Sequence, residues 1–352
     1  MTIQAFLKMQ IIKKYLNKIK SKKHFDADSS EQYKLDPKAE EKSHNSHYFS
    51  GHGINGQSLV FRLGEISNND SEIWFAYSDG TGNNYICAHQ KAESDQTVIN
   101  ITCIEPGKKW KIQFSGGIIQ DTKTPLNIWS NPKGVRVIPA VFDGEFVADH
   151  DIFDFNTQMD VTPMARAITL MPKFPKQFLK ELKENNNPVY YEQKGKIQGV
   201  LNISGKKIVI DLPAVRTHAY GKRDLNVQNR HIRIYAFTNN NQFININLLG
   251  HSQIKELQSG YKIINDKIVC LDSCTSIQEI PSDGKVPARF EILASFLDGK
   301  KLVVKCEKEC QFEFPFENGS YTVYEGLAKF DINGTRARGV IEFGYNTSEI
   351  IL

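Results

Sequence analysis

Short apolar runs with a period of two residues recur along the chain, and turn dipeptides that contain Gly separate them. The last pair of runs, Tyr321 to Phe330 and Arg336 to Tyr345, flanks Asn333-Gly334. Asn-Gly between two alternating runs is the strongest short-range signal for a β-hairpin. Short strands at regular spacing predict an antiparallel barrel or sandwich. The lack of strand–helix alternation argues against a parallel α/β fold.

The stretch from Tyr190 to Phe237 is the most informative of these runs. Ile197 to Ile203 precede a Ser204-Gly205 turn and Ile208 to Ile210 run back, which predicts a hairpin. Arg216 to Asp224 then gather two Arg, a Lys, a His, a Tyr and an Asp within nine residues. A connection with so many charged groups is either a solvated loop or a polar cluster at the mouth of a cavity.

Size and charge restrict the classes of protein. A chain of 352 residues suffices for two domains, and a hydrophobic content of 40% with 24% charged residues is that of an ordinary soluble protein. The net charge of +4 comes from residues 1–24, which hold seven Lys and no acid, so the rest of the chain is net acidic. A nucleic-acid-binding face is therefore not expected.

The sequence predicts neither a membrane-spanning helix nor a secretory signal peptide. No apolar run approaches the roughly 20 residues that span a bilayer. Lys8, Lys13 and Lys14 interrupt the apolar residues at the N-terminus, which excludes a signal-peptide core. The six Cys are scattered and do not have the density of a disulfide framework. We expect a cytoplasmic protein with reduced thiols.

The composition divides the chain into four segments. Residues 1–24 are predicted to form a basic amphipathic helix. This helix packs on the body or frays in solvent, or it lies on an anionic membrane surface or acts as a targeting segment, although it has no Arg. Residues 25–46 are polar and charge-rich and are interpreted as a linker. Residues 47–187 are predicted to form a first barrel, ending in two short helices from Thr162 onward that join the two β units. Residues 188–352 are predicted to form a second barrel.

Two motifs in the middle of the chain carry a family resemblance. Residues 191–195 read Tyr-Glu-Gln-Lys-Gly, and residues 216–224 read Arg-Thr-His-Ala-Tyr-Gly-Lys-Arg-Asp. They resemble the Tyr-Glu-Gln-X-Gly and Arg-Asp-His-Ser-(Trp/Tyr)-Gly-X-Arg-Asp patterns of the superfamily of carotenoid hydratases (hydroxyneurosporene synthases). Residues 325–328 and 339–345 resemble that family's final hairpin. The resemblance implies two lipocalin-like (calycin) β-barrels in tandem.

A closer likeness is to the N-terminal region of animal proteins described as phosphoenolpyruvate-synthase-like. It is carried by residues 110–116, Trp-Lys-Ile-Gln-Phe-Ser-Gly, and by Asp154-Phe155. No phosphotransfer domain is found in these 352 residues, so we do not expect that activity.

Two positions depart from the carotenoid hydratase pattern, because Thr217 replaces an Asp and Ala219 replaces a Ser. A hydratase must protonate an alkene, and a carboxylic acid in a dry pocket is the natural donor. The loss of the Asp therefore weakens the expectation of hydration.

The candidate site lies in the second motif. In an extended segment Arg216, His218 and Tyr220 share one face and Thr217 points the opposite way. An imidazole and a phenol can move a proton, and the guanidinium can clamp an anionic or carbonyl oxygen. The alternative is a buried polar network that closes the end of a barrel. The predicted set comprises His218, Tyr220, Arg216 and Asp224 as catalytic residues and Arg223, Glu192, Arg230 and Tyr191 as ligand-binding residues.

Three other groups have competing interpretations. Residues 149–151, Asp-His-Asp, either orient a His base or form a charged strand edge. The histidines at 44, 47 and 52 have no Cys or acid at a metal-site spacing, which favours a place in the first strand. The Cys pairs at 270/274 and 306/310 permit a structural zinc, but the apolar strand around the first pair favours ordinary core thiols. Neither a metal nor a cofactor is predicted.

The sequence thus predicts an all-β protein with two tandem lipocalin-like antiparallel β-barrels, a short helical connection and an N-terminal amphipathic helix. Such a barrel can hold one hydrophobic or partly polar small molecule. Two functions stay open. One is a cofactor-independent lyase, hydratase or isomerase/cyclase, and the other is a carrier or scaffold without turnover. The fold alone does not decide between them.

Overall fold

The computed structural model describes residues 2–36, 38–40, 42–67, 70–90, 97–123, 135–183, 188–223, 225–281, 285–316 and 320–346. Two antiparallel sheets account for most of this part of the chain, which confirms the predicted fold class. The helices are α1 (Ile3–Lys20), α2 (Ala27–Glu31), α3 (Thr162–Leu170) and α4 (Lys176–Lys183).

The first sheet closes on itself. Its strands are β1 (Ser43–His52), β2 (Gln57–Ile66), β3 (Asp70–Asp79), β4 (Asn84–Gln90), β5 (Val98–Glu105), β6 (Lys109–Ile119), β7 (Val137–Ala148), β8 (Phe153–Asp154), β9 (Val189–Ile203) and β10 (Lys206–Lys222). The order is β10-β1-β2-β3-β4-β6-β7-β9, and β10 also pairs with β9. Between β4 and β6 the described pairing is Ile86 with Ile119. The result is a barrel in which β5 also pairs with β6 and β8 also pairs with β9.

The second sheet is a closed barrel of eight strands in chain order. These strands are β11 (Gln228–Thr238), β12 (Phe243–His251), β13 (Lys255–Ile264), β14 (Lys267–Cys274), β15 (Arg289–Phe296), β16 (Lys301–Phe316), β17 (Tyr321–Ile332) and β18 (Thr335–Asn346). The hairpin β17–β18 turns at Asn333-Gly334, where both residues have positive φ. This is the type I′ turn that Asn-Gly favours, because its twist matches that of the strands.

The boundary between the barrels differs from the expected one. The sequence interpretation began the second barrel at residue 188, but β9 and β10 belong to the first sheet. The Ser204-Gly205 turn fixes only the hairpin that these two strands make with each other. Their other partners, β7 and β1, are far away in sequence. The sheets therefore divide between Lys222 and Gln228, where a short 3-10 helix, Leu225–Val227, connects them.

The expected polar linker is also partly structured. Within residues 25–46, α2 forms over Ala27–Glu31 and β1 already starts at Ser43. The Asp26 side chain caps α2 by accepting from the backbone N–H of Asp28. The segment therefore covers one end of the first barrel, as its contacts below show.

Three apolar clusters hold the two barrels together. The interior of the first barrel is rich in aromatic side chains, with Phe75 stacked on Phe114 at 4.3 Å. The interior of the second is mostly aliphatic. A third cluster lies between the barrels, where Trp74 of β3 stacks on Phe314 of β16 at 4.3 Å. The two barrels thus share a buried face, and both interiors are filled by side chains.

The helices pack together on the outside. Met9, Ile12 and Leu16 of α1 are buried against α3 and α4, which confirms the predicted N-terminal amphipathic helix. The two predicted short helices are present, but they lie between β8 and β9 of the same sheet. They do not join the two barrels, because the chain returns from them to complete the first one.

A cavity in the first barrel should be costly. Phe75→Ala removes a fully buried ring that contacts Phe61 and Phe114, and we expect a loss of about 3–5 kcal/mol in the free energy of unfolding. Phe174→Ala makes the same change at a ring that is 52% exposed and should cost less than about 0.5 kcal/mol. Urea unfolding of both variants is the measurement. Equal losses in the free energy of unfolding of the two variants would contradict a filled interior of the first barrel.

Candidate functional site

One candidate site lies inside one end of the first barrel and is called the mouth cluster: Arg216, His218, Tyr220, Tyr191, Asn45 and His47. Strand β10 stays extended through Lys222, so Arg216, His218 and Tyr220 alternate onto the inward face. His218 is opposite His47 on β1 and Tyr191 on β9. The structure thus brings together four of the predicted site residues.

Arg216 is fully buried and binds a carboxylate. Its Nη1 and Nη2 donate to the two carboxylate oxygens of Glu31 at 3.2 and 2.7 Å, and Nη2 also donates to Gln193 Oε1 at 2.9 Å. The guanidinium lies 4.7 Å from the centre of the Trp110 ring and 5.5 Å from that of Tyr191. A fork of this kind between Arg and a carboxylate is stronger and more directional than an ordinary hydrogen bond.

His218 is held as a neutral imidazole. Asn45 Nδ2 donates to Glu65 at 2.7 Å, so its Oδ1 accepts from His218 Nε2 at 2.7 Å. The remaining nitrogen, Nδ1, then accepts from the Tyr191 hydroxyl at 2.6 Å. Burial, helped by His47 and Arg216, holds the pKa of His218 well below its ordinary value. Both ring nitrogens are therefore engaged in the fold.

The segment from Phe25 to Tyr33, which contains α2, covers the mouth cluster and is called the plug. The Ser30 and Tyr220 hydroxyls are hydrogen-bonded at 3.0 Å, and Tyr33 stacks on Tyr220 at 4.0 Å. Phe25 meets Tyr191 edge to face at 5.0 Å. The plug therefore separates the mouth cluster from solvent.

The other predicted residues lie elsewhere. Glu192 points to the opposite face of β9, towards the second barrel. Arg223 lies over the Phe316 ring at 5.0 Å. Arg230 donates to the carbonyl oxygens of Ile277, Ile280 and Pro281 and thus holds a loop at the end of the second barrel. Asp224 lies outside the described residues.

A second candidate site occupies the layer between the barrels and is called the seam. Glu192 is fully buried there and accepts hydrogen bonds from Tyr190, from Tyr235 at 2.6 Å and from Asn245. Burial raises the pKa of Glu192 above its usual range. Tyr235 and Asn245 belong to the second barrel, so this carboxyl group ties the two barrels together.

The polar network of the seam continues across β12, β11 and β18. Asn247 accepts from Arg233 Nε at 3.2 Å, and Arg233 also pairs with Glu342 at 3.3 Å. Glu342 accepts from His231 Nε2 at 2.7 Å, and His231 Nδ1 is bonded to the Tyr321 hydroxyl at 2.7 Å. Burial alone would raise the pKa of Glu342, but Arg233 and His231 outweigh it and lower the pKa to about 2.

Glu325 differs from its neighbour Glu342. The two face each other across β17 and β18, and Glu325 is fully buried with no hydrogen-bond partner for either oxygen in the described part of the chain. Burial, and then the negative charge of Glu342, raise the pKa of Glu325 well above its ordinary value. The surroundings therefore favour the ionised form of Glu342 and the protonated form of Glu325.

The position that departs from the family motif faces this seam. Thr217 lies between Glu192 on β9 and Tyr48 on β1 in one cross-strand row. An Asp at position 217 would therefore place a fourth carboxyl group in the seam, beside Glu192, Glu325 and Glu342.

Sequence reasoning did not identify the seam residues of the second barrel. Glu325 and Glu342 each interrupt an apolar strand in the last hairpin, and this was the available signal. An acid on the outer face of a barrel strand normally meets solvent, so the signal alone did not indicate burial. Only the packing of one barrel on the other buries these side chains.

The other predicted groups do not converge. Within the described ranges, no three His, Cys, Asp or Glu side chains are placed to hold a metal ion. The Cys at 306 and 274 pack on the core of the second barrel, whereas those at 270 and 310 pack on the cluster between the barrels. His150 pairs with Asp149, which also binds Lys194 at 2.7 Å, so this group forms a local ion-pair network.

An open pocket of about 220 Å³ lies at one end of the seam. Ser58, Ser78 and Asn84 line it from the first barrel, and Leu327 and Arg338 from the second. Leu327 is two residues from Glu325 on the same face of β17. The pocket therefore connects one end of the seam to solvent. It lies near Glu325, but Glu325 does not line it.

Comparisons place this architecture among tandem antiparallel β-barrel proteins. The chain belongs to the family DUF7064, a domain of unknown function, whose model matches residues 28–347. No curated protein matches the chain.

Two crystal structures are similar in fold. One is a putative AttH from Nitrosomonas europaea, with 12% identity, a TM-score of 0.54 and coverage of 86% of this chain and 92% of the other. The other is kievitone hydratase from Nectria haematococca, with 13% identity, a TM-score of 0.53 and coverage of 90% and 94%. The resemblance predicted from the sequence is thus confirmed at the level of fold.

The buried histidines should make the protein sensitive to acid. Burial lowers the pKa of His44, His47 and His52 to about 3. These histidines therefore make their full contribution to the free energy of unfolding above pH 6.5, the ordinary pKa of histidine. That contribution is lost as the pH falls towards 3. Each should add a slope of about 1.4 kcal/mol per pH unit to the free energy of unfolding.

Chemical unfolding between about pH 7 and pH 5 tests this expectation. His52→Asn should flatten the pH dependence, whereas His24→Asn, at an exposed position, should not. A slope unchanged by His52→Asn would show that this histidine does not carry the effect.

Proposed function

We propose that the protein binds a hydrophobic or partly polar small molecule in the seam and acts on it by acid/base chemistry without a cofactor. The observation that carries this proposal is Glu325, a buried carboxyl group with a raised pKa and no hydrogen-bond partner among the described residues. A carboxylic acid kept neutral in a dry site is a proton donor suited to lyase, hydratase or isomerase/cyclase reactions.

The neighbours of Glu325 supply the other half of such a reaction. Once Glu325 gives up its proton, its negative charge would lie beside ionised Glu342, which favours return of the proton from the product or from water. Arg233 and His231, both bonded to Glu342, stabilise negative charge in the same place. The Tyr48 hydroxyl lies close enough to Glu325 to influence the pKa of that carboxyl group, and from there it would orient a substrate oxygen.

A rival within the same class of function uses the mouth cluster. There His218 and Tyr220 would be the acid/base groups and Arg216 the electrostatic clamp, with Tyr191 beside the ligand. The seam is favoured because both nitrogens of His218 are already bonded, whereas the carboxyl oxygens of Glu325 are not. The second alternative is a carrier or scaffold without turnover. The filled interiors of both barrels support the scaffold, because a carrier would need space for its ligand.

Glu325→Gln tests the protonation state of Glu325 without a known substrate. The variant mimics the neutral acid. In the wild type, stability should fall as the pH rises above the ordinary value of 4.5, because the unfolded chain then binds fewer protons than the folded one. In Glu325→Gln this fall in stability with rising pH should be absent. At pH 7 the variant should have a higher free energy of unfolding than the wild type. Urea unfolding from pH 5 to pH 8 measures it, and Glu307→Gln, at an exposed position, should behave as the wild type.

Native mass spectrometry of the protein purified from its own source should reveal a retained organic ligand. That ligand is then incubated with wild type, Glu325→Gln and Glu307→Gln, and its conversion is followed by chromatography. Glu325→Gln should retain the ligand and lose at least about 100-fold in rate. Conversion at the wild-type rate would exclude Glu325 as the acid. Binding without conversion by the wild type would support the carrier.

We also propose that α1 contacts an anionic membrane surface. Ile3, Leu7, Ile11 and Tyr15 recur every four residues on its outer face and are 41–82% exposed. Lys side chains without acids flank them, which suits a negatively charged lipid surface. No helix in the described ranges is long and apolar enough to cross a membrane. The proposed location is the cytoplasm, and the likeness to phosphoenolpyruvate-synthase-like proteins implies no further activity.

Vesicle sedimentation tests the role of α1. Ile11→Asp should weaken binding to vesicles that contain phosphatidylserine at least about tenfold, because it adds a charge to the apolar face. Asn17→Asp adds the same charge at an exposed polar position of α1 and should weaken binding much less. Equal binding of the wild type to neutral and anionic vesicles would contradict the proposal.

A further inference from the structure

We propose that the mouth of the first barrel is a binding site for a hydrophobic carboxylic acid, and that Glu31 of the plug occupies this site as an internal substitute for the ligand. This site is separate from the seam, and it lies on the opposite face of β10. Three observations support this proposal: the geometry around Arg216, the construction of the plug, and three buried polar atoms that have no hydrogen-bond partner among the described residues.

Arg216 is arranged as a carboxylate receptor. Its guanidinium fork takes both oxygens of Glu31, and Gln193 orients the same nitrogen. Its flat faces lie against aromatic rings, among them Trp110 and Phe146. A planar cation held between rings and presenting two parallel N–H groups is the arrangement by which Arg recognises carboxylates.

The carboxylate that fills this receptor comes from a weak element. Helix α2 has only five residues, and a helix so short is not stable by itself in water. Beyond the ion pair, the polar contacts between the plug and the barrel among the described residues are three: Ser30 with Tyr220, the Cys103 thiol, which donates to Glu31 at 3.9 Å, and the Tyr191 hydroxyl beside Glu31. Because β1 begins only at Ser43, the plug can leave the mouth without breaking any strand pairing.

Three buried polar atoms next to the ion pair are unpartnered in the described part of the chain. They are Arg216 Nε, His47 Nδ1 and Trp110 Nε1. The His47 and Trp110 rings are 5.1 Å apart, and Arg216 lies over the same Trp110 ring, so the three atoms are on side chains in mutual contact. Unmade hydrogen bonds beside a buried ion pair do not serve stability. They suit a ligand that brings a further polar group.

The plug indicates the chemistry of the ligand. Around the carboxylate of Glu31, it presents the rings of Phe25 and Tyr33 to Tyr191 and Tyr220. A ligand that replaces it would need a carboxylate for Arg216 and an aromatic or other hydrophobic body for these rings. Phenylacetate has both features, and phenylacetamide is its neutral match.

Calorimetric titration of wild type, Glu31→Gln and Glu40→Gln with these two compounds tests the proposal. Glu31→Gln keeps the size of the side chain and weakens its hold on Arg216. Phenylacetate should therefore bind this variant at least about tenfold more tightly than the wild type. Glu40 is exposed and pairs with Lys222 at 3.3 Å, so Glu40→Gln should behave as the wild type. Phenylacetamide should bind all three proteins equally weakly.

Glu31→Ala provides an independent test, because acetate has the same four heavy atoms that this substitution removes. Acetate should raise the melting temperature of Glu31→Ala, or restore its refolding, whereas acetamide should do neither. Equal effects of acetate and acetamide would overturn the carboxylate site. A folded Glu31→Gln protein that binds phenylacetate no more tightly than Glu40→Gln would show that Glu31 only completes the fold, and would also overturn the proposal.

Discussion

The pairing of β10 with both β1 and β9 is the constraint on which the rest of the structure depends. It closes the first barrel, and it divides the motif between Arg216 and Lys222 onto two faces. Arg216, His218 and Tyr220 face the interior, whereas Thr217 faces the second barrel. A register shift of one residue would exchange these faces, so both candidate sites depend on the same ladder of hydrogen bonds.

Each site buries charge and balances it in a different way. At the mouth, Arg216 meets Glu31 in a fork, and the neighbouring histidines remain neutral because burial lowers their pKa. In the seam, Arg233 and His231 hold the ionised form of Glu342, while burial and the charge of Glu342 raise the pKa of Glu325 and favour its protonated form. Removing one partner of a buried pair leaves the other uncompensated and destabilises the fold. Unpartnered groups such as Glu325 are therefore informative, since stability gives no reason for them.

Much of the fold could be predicted from local patterns. The period of two residues and the Asn333-Gly334 turn indicate antiparallel strands, and the helices from Thr162 onward follow from a Pro start and an apolar face. The site was predictable in part: an extended chain at Arg216 necessarily puts His218 and Tyr220 beside it. Glu31, Arg233 and Glu325 were not predictable as site residues, because each meets its partners only through contacts between segments distant in sequence.

The sequence by itself determined the class of fold, the hairpins and which side chains of β10 share a face, because these depend on neighbours within a few residues. Tertiary structure alone decided that β9 and β10 complete the first barrel rather than start the second. It also decided that the plug fills the barrel mouth and that Glu325 is buried between the barrels. These outcomes depend on long-range strand pairing and on the burial of one barrel face against the other, and local periodicity contains no information about either.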